Sequence, residues 1–185
     1  MLFINGKSVA SGTGIDIFNP ATGKVFAIAH AASDTHLNLT VEAAKSASRT
    51  WAGVDHSVRQ EAVQKLALIL RDNIEELANL LVLEQGKPIE QAQQEINIAA
   101  QFLDYFCSLP LPHKPLSAIP EQDTQIYYRP LGVVAAIVPW NFPILLTAFK
   151  IGPALVSGNS VIVKSAPTTP LTTLRIAHLS ANVFP

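Results

Sequence analysis

The sequence is poor in cysteine and in charged residues. It contains one cysteine among 185 residues, so no disulfide can form within the chain, and we expect a cytoplasmic protein. Charged residues make up 15% of the chain, against about a quarter in typical soluble domains. This shortage indicates a surface that is partly covered by other polypeptide. The formal net charge of −1 gives no electrostatic basis for binding nucleic acid or a membrane surface, so neither partner is expected.

Two other signals are missing. The amino-terminal sequence, MLFINGKSVA, has no basic region followed by a long apolar segment, and we predict no signal peptide. The five histidines are scattered without the spacing of metal ligands, so no metal site is predicted. Hydrophobic residues, in contrast, make up 49% of the chain, which predicts a substantial core within one domain or a little more.

Residues 131–167 predict a strand, a helix and a second strand. An apolar run stops at the segment PWNFP, an apolar helix-like segment follows, and a Gly158-Asn159 turn leads to a second apolar run that ends on Lys164. Near-continuous apolar strands are typical of parallel strands that are buried on both faces. Asn141 and Lys164 follow the carboxyl ends of the two strands, where ligands bind in open α/β sheets.

A membrane span is the competing interpretation of this apolar stretch, which is long enough to suggest one. Three prolines, with Asn141 and Lys150, would place helix breakers and an amine in hydrocarbon, where such groups are costly. A buried α/β core is therefore the interpretation that we adopt.

The residues before this unit predict two hairpins and several helices. Asn5-Gly6 is a turn signal for a first hairpin, and residues 16–29 predict a second. Ser33 or Asp34 can cap a helix that runs to about Trp51. An amphipathic stretch from about residue 57 is expected to break near residues 72–73.

Three expectations concern the next helix, which opens at Pro88, and the turn that follows the helix stop at Gly86. Lys87 is predicted to be a solvated lysine in a tight turn, and Glu95 to lie on the outer face. Cys107 is expected to be a small core residue. Towards the end of the chain, Thr169 is expected to cap the last helix, with Pro170 as its first residue. Between these helices, residues 109–122 predict a proline-rich connector and residues 123–129 a strand.

Four blocks of the βαβ stretch resemble the aldehyde dehydrogenase superfamily in both order and spacing. They are PWNFP (residues 139–143), KIGPAL (residues 150–155), Gly158-Asn159 and VIVK (residues 161–164). LEQGKP at residues 83–88 extends the resemblance towards the amino terminus. The resemblance covers essentially the whole chain, but well under half of the usual length of a family member.

The resemblance implies a fold and a division of the chain. The expected fold class is α/β, with amino-terminal β-hairpins and helices followed by the first βαβ unit of an incomplete Rossmann-like parallel sheet. Residues 1–122 would form the hairpins and the helical part of the cofactor-binding domain, and residues 123–131 a strand of the oligomerisation sheet. Residues 132–185 would form the first βαβ part of the NAD(P)-binding sheet.

The resemblance also implies a reaction and its site residues. In the family, a cysteine thiolate attacks an aldehyde, hydride passes to NAD or NADP, and a glutamate-assisted water releases the carboxylic acid. Asn141 matches the asparagine that stabilises the oxyanion, although an asparagine can also simply shape the turn before Pro143. Lys150 matches a lysine that some members couple to catalysis, and it also fits an ordinary helix lysine.

The implied cofactor contacts lie on both strands. Lys164 matches the lysine that holds the adenosine ribose hydroxyls. Many members that prefer NAD carry a glutamate three residues later, where this chain has Pro167 beside Ser165, so one reason to exclude NADP is lost. The positions that match the nicotinamide-side cleft, and that simple core packing would also explain, are Ile137, Val138, Pro139 and Trp140.

The family's nucleophilic cysteine and general-base glutamate belong to segments that follow residue 185, so this chain alone is expected to be inactive. The sequence leaves a second interpretation open, a non-catalytic assembly module or half of a split enzyme. Either would associate through uncovered sheet edges, with itself as a homo-oligomer or with a complementary carboxyl-terminal chain.

Overall fold

The computed structural model describes residues 1–110, 115–116 and 124–184, in an α/β arrangement of two amino-terminal hairpins, four helices, a short antiparallel strand pair and a βαβ unit that leads into a last helix. The elements in chain order are β1 (Leu2–Ile4), β2 (Lys7–Val9), β3 (Gly14–Asn19), β4 (Lys24–His30), α1 (Asp34–Trp51), α2 (His56–Asp72), α3 (Ile74–Gln85), α4 (Ile89–Ser108), β5 (Pro115–Leu116), β6 (Thr124–Gln125), β7 (Val133–Ile137), α5 (Pro143–Val156), β8 (Ser160–Lys164) and α6 (Leu171–Leu179).

Local sequence signals account for most of the element boundaries. Asn5 and Gly6 both have positive φ, at 50° and 70°, as the predicted two-residue hairpin turn requires. Ser33 caps α1, and His36 completes a capping box with it. The predicted helix break is confirmed, since α2 ends at Asp72 and α3 begins at Ile74. Gly86 then ends α3 in the left-handed conformation, at φ 88°.

The hydrophobic core lies between the four amino-terminal helices and the βαβ unit. Helix α4 is at its centre and packs against α2, α3 and α5. Cys107 is buried in this core, as predicted. Large, fully buried side chains from three helices fill it: Leu77, Leu81, Ile96, Leu103 and Ile144. The hairpins and helices therefore form one packed body with the sheet that they support.

Strands β7 and β8 pair in parallel, which confirms the predicted βαβ unit. The register runs from Val133 opposite Ser160 to Ile137 opposite Lys164. The expectation that both faces are buried is wrong for the described part of the chain. Ala136 is buried, but its neighbour Ile137 is 66% exposed. Alternate residues of a strand face opposite sides, and Ala135 and Ile137, which share one face of β7, are both exposed.

Two buried polar side chains stabilise the βαβ unit at the amino-terminal end of its strands, opposite the carboxyl edge. The Asn159 Oδ1 atom accepts from the Gly132 backbone N–H at 3.0 Å, and its Nδ2 donates to the Ala154 carbonyl at 3.1 Å. The buried Arg59 guanidinium donates to the Val156 carbonyl at 2.9 Å, at the end of α5. These contacts fix where β7 begins and where α5 ends, and thus how the two strands and the helix are positioned relative to one another.

The start of α6 differs from the prediction that Thr169 caps it. Helix α6 has Pro170 as its N-cap residue and no side-chain cap of its own. Instead, the buried carboxylate of Glu84, on α3, accepts from the backbone N–H groups of Leu171 at 2.7 Å and Thr172 at 2.9 Å. A carboxylate from a neighbouring helix replaces the local cap because it reaches two of the free N–H groups at once.

The predicted strand at residues 123–129 is shorter than expected. Residue 123 lies outside the described residues; of residues 124–129, Thr124–Gln125 forms a strand that pairs antiparallel with Pro115–Leu116, and residues 126–129 have no regular structure. The predicted connector at residues 109–122 lies largely outside the described residues. Among the helices that the structure describes, none combines the length and the apolar character needed to cross a membrane.

Replacing Glu84 tests the cap on α6. Glu84→Ala leaves two N–H groups at the start of α6 without an acceptor. We expect it to lower the free energy of unfolding by about 1–3 kcal/mol, measured by urea denaturation. Glu84→Gln keeps one acceptor oxygen and should lose less.

The same carboxyl group predicts a pH dependence. Burial raises the pKa of Glu84 from its usual value of 4.5, so the folded state binds the proton more tightly than the unfolded state. The free energy of unfolding should therefore fall as pH rises from about 4.5 through the raised pKa, and this fall should be absent in Glu84→Gln. Identical pH profiles for the two proteins would contradict this assignment.

Candidate functional site

The candidate site lies at the carboxyl edge of the β7–β8 pair. Ile137 is opposite Lys164 at the last step of the register, and the Val138 N–H donates to the Lys164 carbonyl at 3.0 Å. The chain then leaves β7 through residues 139–142 and enters α5 at Pro143. The pairing brings Asn141 and Lys164 to one edge, as the sequence predicted.

Asn141 lies in the loop directly before α5 and is exposed. Its backbone carbonyl accepts a hydrogen bond of 3.1 Å from the Lys87 ammonium group. The loop is therefore held through its main chain. Pro143 follows at the first turn of α5, where its missing N–H costs no hydrogen bond. The Asn141 amide is a neutral donor, and a neutral donor suits a site where negative charge develops during a reaction.

Lys87 and Glu95 form a buried ion pair under this loop, and both of the corresponding sequence predictions are wrong. Lys87 is 9% exposed rather than solvated, and Glu95 is 2% exposed rather than on the outer face of α4. The Lys87 ammonium also lies 4.4 Å from the centre of the Phe142 ring, within range of a cation–π interaction. The lysine can be buried because a carboxylate, a carbonyl and an aromatic ring replace the water molecules that would otherwise solvate its ammonium group.

Glu95 has a second role at the start of α5. Its Oε1 atom accepts from the N–H groups of Ile144 at 2.8 Å and Leu145 at 3.2 Å, while Oε2 pairs with Lys87. A signal for this burial exists in the sequence. Glu95 follows Ala92 by three residues and precedes Ala99 by four, which places it on the apolar stripe of α4. Glu84 likewise follows the buried Leu81 by three residues, which places it on the apolar stripe of α3.

The first free N–H groups of α5 and α6 are thus both occupied by carboxylates of this chain. Helix N-termini after parallel strands commonly bind phosphate groups. Here Glu95 closes the start of α5 and Glu84 closes the start of α6. A negatively charged ligand would meet a carboxylate at each position. The starts of α5 and α6 are therefore already occupied by negative charge, which leaves the loops and Lys164 as the groups available for contacts at the edge.

The remaining predicted site residues are distributed unevenly around the edge. Val138 is buried in the sheet, whereas the other residues of the predicted cleft and of the stretch after β8 are exposed or half-buried: Ile137, Pro139, Trp140, Lys164, Ser165 and Pro167. Lys150 is exposed on α5, about 10 Å along the axis from Pro143. The geometry thus joins the loop and strand residues and leaves Lys150 apart from them.

Cys107 cannot serve the site as a nucleophile. It lies at the end of α4, where its thiol donates to the Gln60 carbonyl at 3.3 Å. Burial, with a smaller contribution from Asp104, raises the pKa of this thiol from 9.0 to about 11. The thiolate is the reactive form, so the group is inert at neutral pH. Within the described ranges, no three potential metal ligands of the His, Cys, Asp or Glu type lie together.

Comparison with known proteins assigns the chain to a family. The model of the aldehyde dehydrogenase family matches residues 7–185. The chain belongs to the aldehyde dehydrogenase family. The resemblance of the sequence blocks is thereby confirmed, as is the α/β fold class, because solved structures of the family superimpose on nearly the whole chain.

Three solved structures illustrate the likeness. The gamma-glutamyl-gamma-aminobutyraldehyde dehydrogenase of Burkholderia cenocepacia J2315 is 34% identical, with a TM-score of 0.94 over 98% of this chain and 39% of its own. PnpE in complex with nicotinamide adenine dinucleotide is 35% identical, with a TM-score of 0.93 over 100% and 39%. A 3,6-anhydro-L-galactose dehydrogenase in complex with NAP (NADP) is 33% identical, with a TM-score of 0.90 over 98% and 40%. The chain therefore spans about 40% of the length of these relatives.

Alkylation of Cys107 tests its inert character. The rise in its pKa from 9.0 to about 11 lowers the thiolate population about 100-fold at pH 8. We expect iodoacetamide to label the folded chain at least about 100-fold more slowly than the urea-unfolded chain, followed by mass spectrometry. Similar rates in the two states would show that the thiol is accessible and ionised in the fold.

Proposed function

We propose that this chain supplies the oxyanion donor and part of the cofactor site of an NAD(P)-dependent aldehyde dehydrogenase that oxidises an aldehyde to a carboxylic acid. The observation that carries the proposal is the placement of Asn141 and Lys164 at one carboxyl edge of a parallel pair, in a chain of this family. Carboxyl edges are where ligands bind in such sheets. The division of the chain at residues 122 and 131 stays a proposal of the same kind.

Asn141 would donate its side-chain amide to the oxygen of the aldehyde as that oxygen gains negative charge. The loop that carries it is anchored by its own carbonyl, so the donor needs little reorganisation. A side chain in this role contributes a factor of about 10²–10³ to turnover. The role of Lys150 is weaker in this proposal, because it is exposed on α5 away from the loop.

The residues at the edge fit a nicotinamide dinucleotide. The exposed Lys164 ammonium can donate to ribose hydroxyls, and the exposed apolar surfaces of Ile137 and Trp140 suit a flat ring. Pro167 and Ser165 carry no negative charge that would repel a 2′-phosphate, so NADP should be accepted beside NAD. The cofactor, when bound, supplies the hydride acceptor. The closed helix N-termini imply that Lys164 and loop atoms carry most of the contacts from this chain.

These 185 residues should not oxidise aldehydes alone. Their one cysteine is Cys107, and its buried thiol, with a pKa of about 11, cannot attack a substrate at neutral pH. Loss of a nucleophile removes orders of magnitude in rate from a covalent mechanism.

Calorimetric titration of the chain with NAD and with NADP tests the cofactor site. We expect binding of both, weakened at least about tenfold by Lys164→Met, which removes the ammonium donor but keeps the apolar stem. Lys24→Met is the matched control, because Lys24 is an exposed lysine at the start of β4. Asn141→Ala should leave the affinity unchanged, since its amide acts on the aldehyde oxygen.

Three results would contradict the proposal or a part of it. Absence of binding at millimolar cofactor would show that these residues do not form a cofactor site by themselves. Equal affinities for the parent chain and Lys164→Met would show that binding occurs elsewhere. A strict requirement for NAD would refute the argument made from Pro167.

A second function, an assembly module, is favoured by one feature. An apolar cavity of about 320 Å³ lies between α1, β8 and α6, and its wall includes Ala44, Trp51, Val161, Ile176 and Phe184. We propose that polypeptide of a second copy or of a complementary chain could cover it and complete the sheet beside β8. A light-scattering mass of one chain, without binding of a hydrophobic dye, would argue against this function.

A further inference from the structure

We propose that Lys87 and Glu95 are positioning residues for Asn141: their buried ion pair fixes the loop at residues 139–142 and the start of α5 in one arrangement. This inference rests on the proposed function for the meaning of Asn141. The geometry of the Lys87–Glu95 pair does not depend on the proposed function.

The pair connects the start of α4 with the loop before α5 and with the first turn of α5, which lie about fifty residues later in the sequence. Lys87 lies in the turn between α3 and α4, and Glu95 lies two turns into α4. Their side chains are 7% and 0% exposed, respectively. From this position Lys87 reaches the Asn141 carbonyl at 3.1 Å, and Glu95 reaches the Ile144 N–H at 2.8 Å. The loop is thus held on both sides, before and after Pro143.

Each charge of the pair is needed to keep the other one buried and oriented. A buried carboxylate or ammonium without a partner is strongly unfavourable, so the two charges remain in the interior only together. Glu95 is already oriented by two N–H groups of α5, and it therefore fixes the direction of the Lys87 ammonium. Lys87 in turn has donors left for the loop carbonyl, because an ammonium group carries three. The result is a chain of contacts from α5 through Glu95 and Lys87 to Asn141.

The backbone conformation supports the same arrangement. Gly86, directly before Lys87, has φ 88°, and a Cβ atom there would lie 2.6 Å from the Pro20 side chain. The turn is therefore confined to one shape. The Lys87 backbone N–H is also bound, by the Gln85 side-chain oxygen at 3.0 Å. The Lys87 backbone is consequently held in place, so that only side-chain rotamers are ordered when the ammonium group binds the loop.

The double variant Lys87→Met/Glu95→Gln separates positioning from general stability. Met and Gln keep the volumes, and Gln still offers an oxygen to Ile144 and Leu145, but the bond to the Asn141 carbonyl is lost. In ¹⁵N relaxation measurements on the free chain we expect the Asn141 backbone order parameter to fall from about 0.85 to below about 0.6. The amides of Ile144 and Leu145 should keep their protection from hydrogen exchange.

The matched control makes the same two substitutions in an exposed pair, Lys45→Met/Glu42→Gln, where the ions lie 2.9 Å apart on α1. It should leave the Asn141 order parameter unchanged. An unchanged order parameter in Lys87→Met/Glu95→Gln would overturn the proposal. Loss of order throughout the chain, hairpin β3–β4 included, would also overturn it, since the pair would then be a general stabiliser.

A measurement on the unaltered chain covers the case in which the double variant does not fold. A buried, fixed ammonium exchanges its hydrogens slowly, so the Lys87 Nζ resonance should be visible near pH 7 and should show contacts to the protons of Asn141 and Phe142. Absence of that resonance, with averaged Lys87 side-chain shifts, would overturn the proposal. Because no cofactor or aldehyde is present, this result is independent of the titrations that test the proposed function.

Discussion

Two buried carboxylates organise the βαβ unit. Glu84 and Glu95 extend from the amino-terminal helices and accept the first free N–H groups of α6 and α5. Each helix follows a strand of the parallel pair, so each carboxylate sets where the chain turns after a strand. Neither helix has a side-chain cap of its own. The position of the carboxyl edge therefore depends on side chains that lie more than forty residues away in sequence, and the amino-terminal helices support the site as well as the core.

The two carboxylates determine which groups at the carboxyl edge of the β7–β8 pair remain available to a ligand. In many nucleotide-binding sheets the start of a helix receives phosphate oxygens. Here the same groups are satisfied internally, which stabilises the fold and leaves neutral or positive side chains as the available contacts. Asn141 and Lys164 are of that kind. The buried Lys87 compensates the charge of Glu95 and at the same time binds the Asn141 loop. Structural stability and the orientation of a functional loop are thus parts of one network.

The sequence allowed much of the local structure and the position of the edge to be predicted, because periodicity, caps and turn residues act over short distances. Asn5-Gly6, Ser33 and the break at Asn73 are examples. The burial of Lys87 could not be predicted, because it depends on Glu95 and on the Asn141 carbonyl, which only the tertiary fold brings together. Glu95 itself stood on an apolar stripe, and a charged residue in such a position indicates a buried partner. The site residues were inferred from the family resemblance, and the structure adds the placement of Asn141 and Lys164 at one edge, with Lys150 apart from them on α5.

The most direct test of the account is a map of where the cofactor contacts the chain. The measurement is the change in ¹⁵N–¹H chemical shifts of the labelled chain on addition of NADP. The account predicts that the largest changes cluster at residues 137–141 and 164–168, around the carboxyl edge, and that the amides of Leu171 and Thr172, which Glu84 already binds, change little. Changes centred on the start of α6, or on the cavity between α1 and α6, would contradict it.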